Sequence, residues 1–398
     1  MNIFSILGAV EAPSGLWVNL INWVKGGVGN IGWSIILVTV LIKLVTTPLE
    51  FMVKLNTKKQ TLVQQKCAPQ LAKLQKKFGN DRQALQLQTN AIYKREGLNM
   101  GAGCIIMLVN LILSMTIFFT FFSALRKFSA YEAINQYEQI TAEYEVAYYD
   151  GFVNKDATDE FNTKEDVVNW FASYNAMAEG PEKAAKLQTI ESHQVYATDV
   201  ATKKAVEKWK ESKKSTSWFW IQNIWVADSI TLPFPNYASL TSLAGSTSYA
   251  DYVTNNINEA DYNKIASLIA DNSDRSANGY YILAVLAGVI TFASQYISEL
   301  HTRLKNKKAR IIASSAKTEN ASSMKIMKIV MPIVMVIFVL TSTASFGLYI
   351  LASNVASILF GELSTLVVDK MTKKKKLEVE EALEKEANRL IKKGYIKE

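Results

Sequence analysis

The chain has 398 residues, of which 49% are hydrophobic and 20% are charged, and its 44 Lys and Arg outnumber its 36 Asp and Glu. An apolar composition with a basic excess indicates membrane spans separated by charged loops, and it argues against a single soluble core. The two cysteines, Cys67 and Cys104, exclude a disulfide framework and a cysteine-based zinc site, and we expect two free thiols.

The first long apolar segment carries a lysine in its interior. Residues 1–30 predict a short amphipathic helix in the membrane interface, and residues 31–53 predict the first span. Lys43 follows 17 uncharged residues. An ammonium at bilayer depth costs roughly 2.5–3.5 kcal/mol on insertion scales, so it usually faces a polar cavity or a partner. Alternatively, Lys43 is the flank of a short span and extends to the headgroups.

Residues 54–102 are basic and polar, and they predict an antiparallel hairpin of two helices outside the membrane. The first helix ends at Gly79 and Asn80, Asp81 caps the second, and Gly97 ends it. An uncharged apolar segment then predicts a second span over 103–126. The long polar region 127–278 reads as a mostly helical insertion, with one helix starting at Pro181.

The C-terminal third predicts three more spans. Residues 279–300 form the third span, and 301–323 form a basic loop. The uncharged run 329–361 would be about 50 Å long as one helix, too long for a hydrocarbon core of about 30 Å. The polar residues 341–345 therefore divide it into spans over 324–342 and 344–367, followed by a basic tail, 368–398.

The loop charges set the expected orientation. Region 128–278 is net acidic, whereas the remaining loops carry the positive excess. Basic loops favour the cytoplasm. We therefore expect an all-α bundle of five transmembrane helices in a bacterial plasma membrane, with a cytoplasmic hairpin, a large extracytoplasmic insertion, the N-terminus outside and the C-terminus in the cytoplasm.

Polar side chains lie at depth in four of the five predicted spans. Thr39 and Lys43 are one helical turn apart and share a face. Singly, each such side chain is more typical of a helix–helix hydrogen bond than of a functional group. Apart from Glu50 and Glu362 near span ends, no Asp or Glu lies within the spans to oppose this cation, so together these residues predict a water-accessible pocket. The candidates are Lys43, Thr39, Asn110, Gln295, Ser353 and Asn354.

Several segments resemble the YidC/Oxa/Albino family of membrane protein insertases. These are Gly32-Trp33-Ser34-Ile35-Ile36 with Thr39 and Lys43, the hairpin with Pro69 and Gly97, Trp218–Ile224, and Gly347-Leu348-Tyr349 with Ser353-Asn354. The resemblance covers about 16–126 and 218–366 and does not extend to 128–217. The short N-terminal region is similar to the Gram-positive form of the family, which lacks the large periplasmic domain of the Gram-negative form.

The resemblance implies a five-span bundle whose groove opens to the cytoplasm and to lipid and receives nascent membrane proteins. Lys43 occupies the place of the family's groove arginine, and Thr39, Gln295 and Ser353-Asn354 match groove positions. Lysine lacks the bidentate fork of arginine. Asn110 and its neighbours replace the usual pattern of the second span, and Ile350 replaces an aromatic residue.

The expected activity is therefore insertion, in which no bond is made or cut. We expect no catalytic residue, metal, cofactor or DNA partner; His193 and His301 have no partners at metal spacing and are predicted surface residues. The ribosome, the Sec translocon and anionic lipids are further candidate partners. One alternative is a small transporter or channel with Lys43 as substrate counter-charge. Another is an adhesion or sensing protein that works through 128–278.

Overall fold

The computed structural model describes residues 10–78, 81–97, 100–154, 164–272, 277–302 and 320–392. Every regular element in these ranges is an α helix, and one isolated bridge joins Trp218 and Ile221. The expected all-helical class is confirmed. The helices are α1 Leu16–Val28, α2 Ile31–Phe78, α3 Arg82–Arg95, α4 Met100–Asn154, α5 Lys164–Ala176, α6 Pro181–Thr216, α7 Tyr237–Ala244, α8 Ala250–Asn256, α9 Glu259–Asn272, α10 Ile282–Thr302, α11 Asn320–Leu340 and α12 Ala344–Lys392.

Three of these helices are long and apolar enough to cross a membrane, within Ile31–Phe78, Ile105–Val153 and Ala344–Arg389. Two shorter apolar helices cover Ile282–Ile297 and Ile329–Leu340. The apolar part of α4 is almost wholly exposed, which water would penalise and lipid would not. This chain is therefore a membrane protein.

Local signals in the sequence mark several helix ends correctly. The Asp81 carboxylate accepts a hydrogen bond from the Ala84 N–H and caps α3, and Gly97 follows that helix with a φ of 73°. Pro181 begins α6. A turn over residues 341–343 separates α11 from α12, as the polar break predicts. The predicted interfacial helix is present as α1, although it continues through Gly26 and Gly27 to Val28.

The helices continue where a change of environment is expected. Helix α2 runs through Pro48 and Pro69 without a break between the predicted span and the hairpin. Similarly, α4 continues from the second predicted span into the insertion, and α12 continues from the last span into the tail. A change of composition from apolar to charged alters the surroundings of a helix but leaves its backbone hydrogen bonds intact.

The chain divides into two compact units. The first contains residues 10–36, 121–283 and 339–348 of the described chain. Its core lies among α4, α6 and α7–α9, where α9 packs on α6. Aromatic side chains are the largest members of this core, and those that are fully buried are Trp209, Tyr137, Tyr262 and Phe152. His193 is buried there, with its Nδ1 2.8 Å from the Phe152 carbonyl oxygen, so the expectation of a surface histidine is wrong.

The loop of residues 218–226 in the first unit, which is rich in aromatic residues, supports the start of α12. The Ala344 and Ser345 N–H groups donate to the carbonyl oxygens of Val226 and Ile224, each at 2.8 Å. Free N–H groups at a helix start need such acceptors. Trp225, between these carbonyls, is completely buried. Trp218 packs so closely on Gly32 that a Cβ there would lie 2.7 Å from the indole ring.

The second unit contains residues 37–120, 284–338 and 349–392 of the described chain. Within it, Phe118 of α4 contacts Phe338 of α11 and Tyr349 of α12 at ring-centroid distances of 6.4 and 6.3 Å. Gly288 of α10 allows close packing, because a Cβ at this position would lie 2.6 Å from Val336. Specific side-chain packing of this kind joins the apolar helices of the second unit to one another.

Asp228 fixes the start of α10. Its buried carboxylate accepts hydrogen bonds from the Tyr280 N–H at 2.9 Å and the Leu283 N–H at 2.6 Å. We expect Asp228→Ala to lower the free energy of unfolding by about 1–3 kcal/mol, because two buried donors lose their acceptor. Thermal unfolding in detergent measures this, with the exposed Asp251→Ala as control. Equal melting temperatures for both variants would contradict the assignment.

Candidate functional site

A polar stripe runs along α2, whose first half is mainly apolar. It consists of Thr39, Lys43, Glu50, Lys54, Thr57 and Thr61. Successive members are three, four or seven residues apart, so they share one face of the helix. All six belong to the second unit. The stripe thus extends the face that Thr39 and Lys43 define in the sequence.

Lys43 has a carboxylate partner. Its Nζ lies 3.4 Å from Glu50 Oε1, and the two side chains are 23% and 25% exposed. The partner is therefore Glu50, one of the two carboxylates that the sequence places near a span end. The two residues are seven positions apart, so two turns of an unbroken helix bring them to the same face. A nearby carboxylate lowers the cost of holding an ammonium in an apolar environment.

The helix around Lys43 has altered backbone hydrogen bonding. The Thr46 and Thr47 hydroxyls donate to the Lys43 carbonyl oxygen at 3.2 and 2.6 Å. Pro48 follows within the helix and has no N–H to donate to the Leu44 carbonyl. The polar backbone atoms beside Lys43 are therefore satisfied in part by side chains.

The other predicted groove residues lie on several helices of the chain. Asn354 donates from Nδ2 to Thr291 Oγ1 at 3.0 Å, which is a bond between α12 and α10. Asn110, Gln295 and Ser353 are half-buried. Within the described residues, no hydrogen bond joins Lys43 to any of these four. Thr39 is buried one turn from Lys43.

A cavity that contains several polar and charged side chains adjoins the C-terminal part of the stripe, at Lys54, Thr57 and Thr61. It has a volume of about 240 Å³, and α2, α10 and α12 line it. Lys54 donates to the Gly361 carbonyl at 2.8 Å and to Thr365 Oγ1 at 3.5 Å. Lys58 pairs with Asp369 at 2.9 Å. Lys54 and its partners are absent from the sequence-based prediction. The spacing of 11 residues between Lys43 and Lys54 on one helix is a signal that could have indicated Lys54.

The predicted hairpin packs around a small apolar core in which Val63 and Cys67 of α2 meet Tyr93 of α3. Burial raises the pKa of the Cys67 thiol, which is free. Lys66 donates to Glu96 at 2.6 Å, and this bond raises the pKa of the Lys66 ammonium. Pro69 lies inside α2, and the side chain of Cys104 lies outside the described residues.

The chain matches the family described as 60Kd inner membrane protein over residues 23–164 and 170–375. The chain belongs to this family. The family match includes most of region 128–217, for which the sequence alone suggests no resemblance. The residues matched to the family thus include most of the insertion.

Several similar proteins are named membrane protein insertase YidC. One from Fusobacterium nucleatum is 37% identical over 107 residues, which are 27% of this chain and 48% of that protein. One from Aromatoleum aromaticum is 34% identical over 105 residues, which are 26% of this chain and 18% of that protein. The chain thus spans less than half the length of these relatives. No solved structure matches the chain.

The bond between Asn354 and Thr291 generates a test of their role. Hydrogen bonds between membrane helices average roughly 0.6 kcal/mol in double-mutant cycles. We expect Asn354→Ala and Thr291→Val each to lower stability modestly, and the double variant to lose little more than the first single variant. Unfolding measured in mixed micelles gives these values. Fully additive losses would show that the two side chains act independently.

Proposed function

We propose that this family member is a membrane protein insertase whose groove includes the polar stripe of α2. The observation that carries the proposal is the Lys43 ammonium within the apolar, membrane-spanning part of α2. The names of the similar proteins support the same activity. The substrates are nascent membrane proteins, and the reaction is a transfer of polypeptide from water to lipid without covalent chemistry.

Lys43 attracts acidic residues in the short hydrophilic tail of a client. An ammonium has three donors, and the single long contact with Glu50 leaves capacity for a second carboxylate. The attraction is stronger than in bulk water because little solvent screens it within the membrane. The hydroxyls and amides of the groove hydrate the tail, so the cost of desolvating it falls.

Glu50 acts as a placeholder in this mechanism. It partners Lys43 while the groove is empty, which reduces the cost of burying the cation. A client carboxylate then exchanges with Glu50, and the apolar span of the client moves into lipid. Thr39 lies above Lys43 on the same face and extends the polar path by one turn. Asn110, Gln295 and Ser353 are the proposed polar contacts from the other helices.

The proposed topology has five spans, with the N-terminus outside the cell and the C-terminus in the cytoplasm. The turn over 341–343 supports two spans in the final apolar run. Lys373, Lys374 and Lys375 are exposed on α12, as the cytoplasmic flank of the last span requires. This lysine run is also the proposed contact with anionic lipid or ribosomal RNA. A Sec translocon remains a further proposed partner.

The charge of Lys43 is testable with clients that differ by one acid. We expect Lys43→Gln to slow insertion of a single-span client with an acidic tail by roughly 3- to 10-fold, equivalent to about 0.7–1.4 kcal/mol. Lys43→Arg should retain most activity. The assay follows protease protection of the translated client in proteoliposomes that contain the purified chain.

A client whose tail acid is replaced by its amide serves as the control, and its rate should change little. Glu50→Gln should not slow the acidic client, since it removes the competing carboxylate. If Lys43→Gln slows both clients equally, the proposed charge role is wrong. If proteoliposomes that contain the chain but no client accumulate a small solute, the alternative function of a transporter is favoured.

A further inference from the structure

The cavity beside α2 contains a second cation, Lys54, whose direct hydrogen-bond acceptors are neutral and which also feels the charges of Glu362 and Glu50. The Lys54 ammonium is half-buried and donates to the Gly361 carbonyl and the Thr365 hydroxyl. Lys58 lines the same cavity, but Asp369 accepts its ammonium at 2.9 Å. The two lysines therefore differ: an incoming anion would compete with a carboxylate at Lys58 and with two neutral acceptors at Lys54.

The position of Lys54 relates it to Lys43. The two residues are 11 positions apart on one continuous helix, which is about 16 Å along the axis and returns to nearly the same face. Glu50 lies between them. A polypeptide that follows the polar stripe would therefore meet one cation at each end of this interval.

The cavity is suited to a single carboxylate. Its volume of about 240 Å³ is far above the roughly 10–15 Å³ that one water needs, so a hydrated side chain fits. A carboxylate forms stronger hydrogen bonds to an ammonium than a carbonyl or hydroxyl does. The carboxylates of Glu362 and Asp369 also line the cavity, and they would repel a tail with several adjacent acids.

We propose that Lys54 is a second client-binding residue, which holds one acidic side chain of the client's hydrophilic tail before that side chain reaches Lys43. This inference rests on the proposed insertase function. It assigns the cavity to the client polypeptide, and it makes Lys54 a specificity residue that distinguishes acidic from neutral tails.

Gly361 shapes this site. A Cβ at position 361 would lie 2.9 Å from Lys54 Nζ, so Gly361→Ala would move the ammonium from its position without removing the charge. Lys59 is one helical position beyond Lys58 and is exposed, and it lies outside the residues that line the cavity. Lys59→Gln is therefore a control that removes one positive charge from α2 and leaves the cavity unchanged.

The test compares Lys54→Gln, Lys54→Arg, Gly361→Ala and Lys59→Gln in proteoliposomes. Two clients are used, which have one aspartate or one asparagine at the same position of a short N-terminal tail. We expect Lys54→Gln to slow the aspartate client several-fold and to leave the asparagine client unchanged. Lys54→Arg should restore the difference between clients, Gly361→Ala should reduce it, and Lys59→Gln should match the unmodified chain.

A structural role for Lys54 would slow both clients alike, and this result would overturn the inference. Equal rates for Lys54→Gln and Lys59→Gln would also overturn it. If the unmodified chain inserts neither client, the proposed function itself fails. If the chain inserts both and responds to Lys43→Gln but not to Lys54→Gln, only the role of Lys54 is wrong.

Discussion

The ion pair between Lys43 and Glu50 is the constraint on which the site depends. An ammonium without a partner in an apolar helix is costly, and a fixed carboxylate reduces this cost. A short, fully hydrogen-bonded pair would also leave the ammonium less able to bind a carboxylate of the client. Lys43 and Glu50 are 3.4 Å apart and both side chains are partly exposed. In the proposed mechanism, this loose pairing allows a client carboxylate to replace Glu50.

The length of α2 makes this pair part of a larger arrangement. Because the helix is continuous from Ile31 to Phe78, positions seven and eleven residues apart retain their common face from the apolar segment to the hairpin. The carbonyl of Gly361 and the carboxylates of Asp369 and Glu386 on α12 accept from lysines along α2. Polar contacts of this kind hold two long helices in register where apolar packing alone is not specific.

Local chemistry made much of the fold predictable. Asp81, Gly97 and Pro181 mark helix ends through their own backbone preferences, and the polar residues 341–345 interrupt an apolar run that is too long for one span. The same reasoning does not predict contacts between residues that are several helical turns apart or on different helices. Sequence reasoning places Glu50 at the end of the span and Lys54 in a separate hairpin, so it does not predict that both share the face of Lys43. The burial of His193 depends on α4 and α6 meeting, which no local pattern specifies.

The most direct measurement is a comparison of crosslinking from two adjacent positions on α2. Thr46 lies on the face of Lys43 and Glu50, whereas Val45 is exposed on a different face. With a photoreactive residue at each position in turn, a ribosome-bound nascent chain with an acidic tail should crosslink from position 46 and not from position 45. Equal crosslinking from both, or crosslinking from position 45 alone, would contradict the placement of the client along the polar stripe.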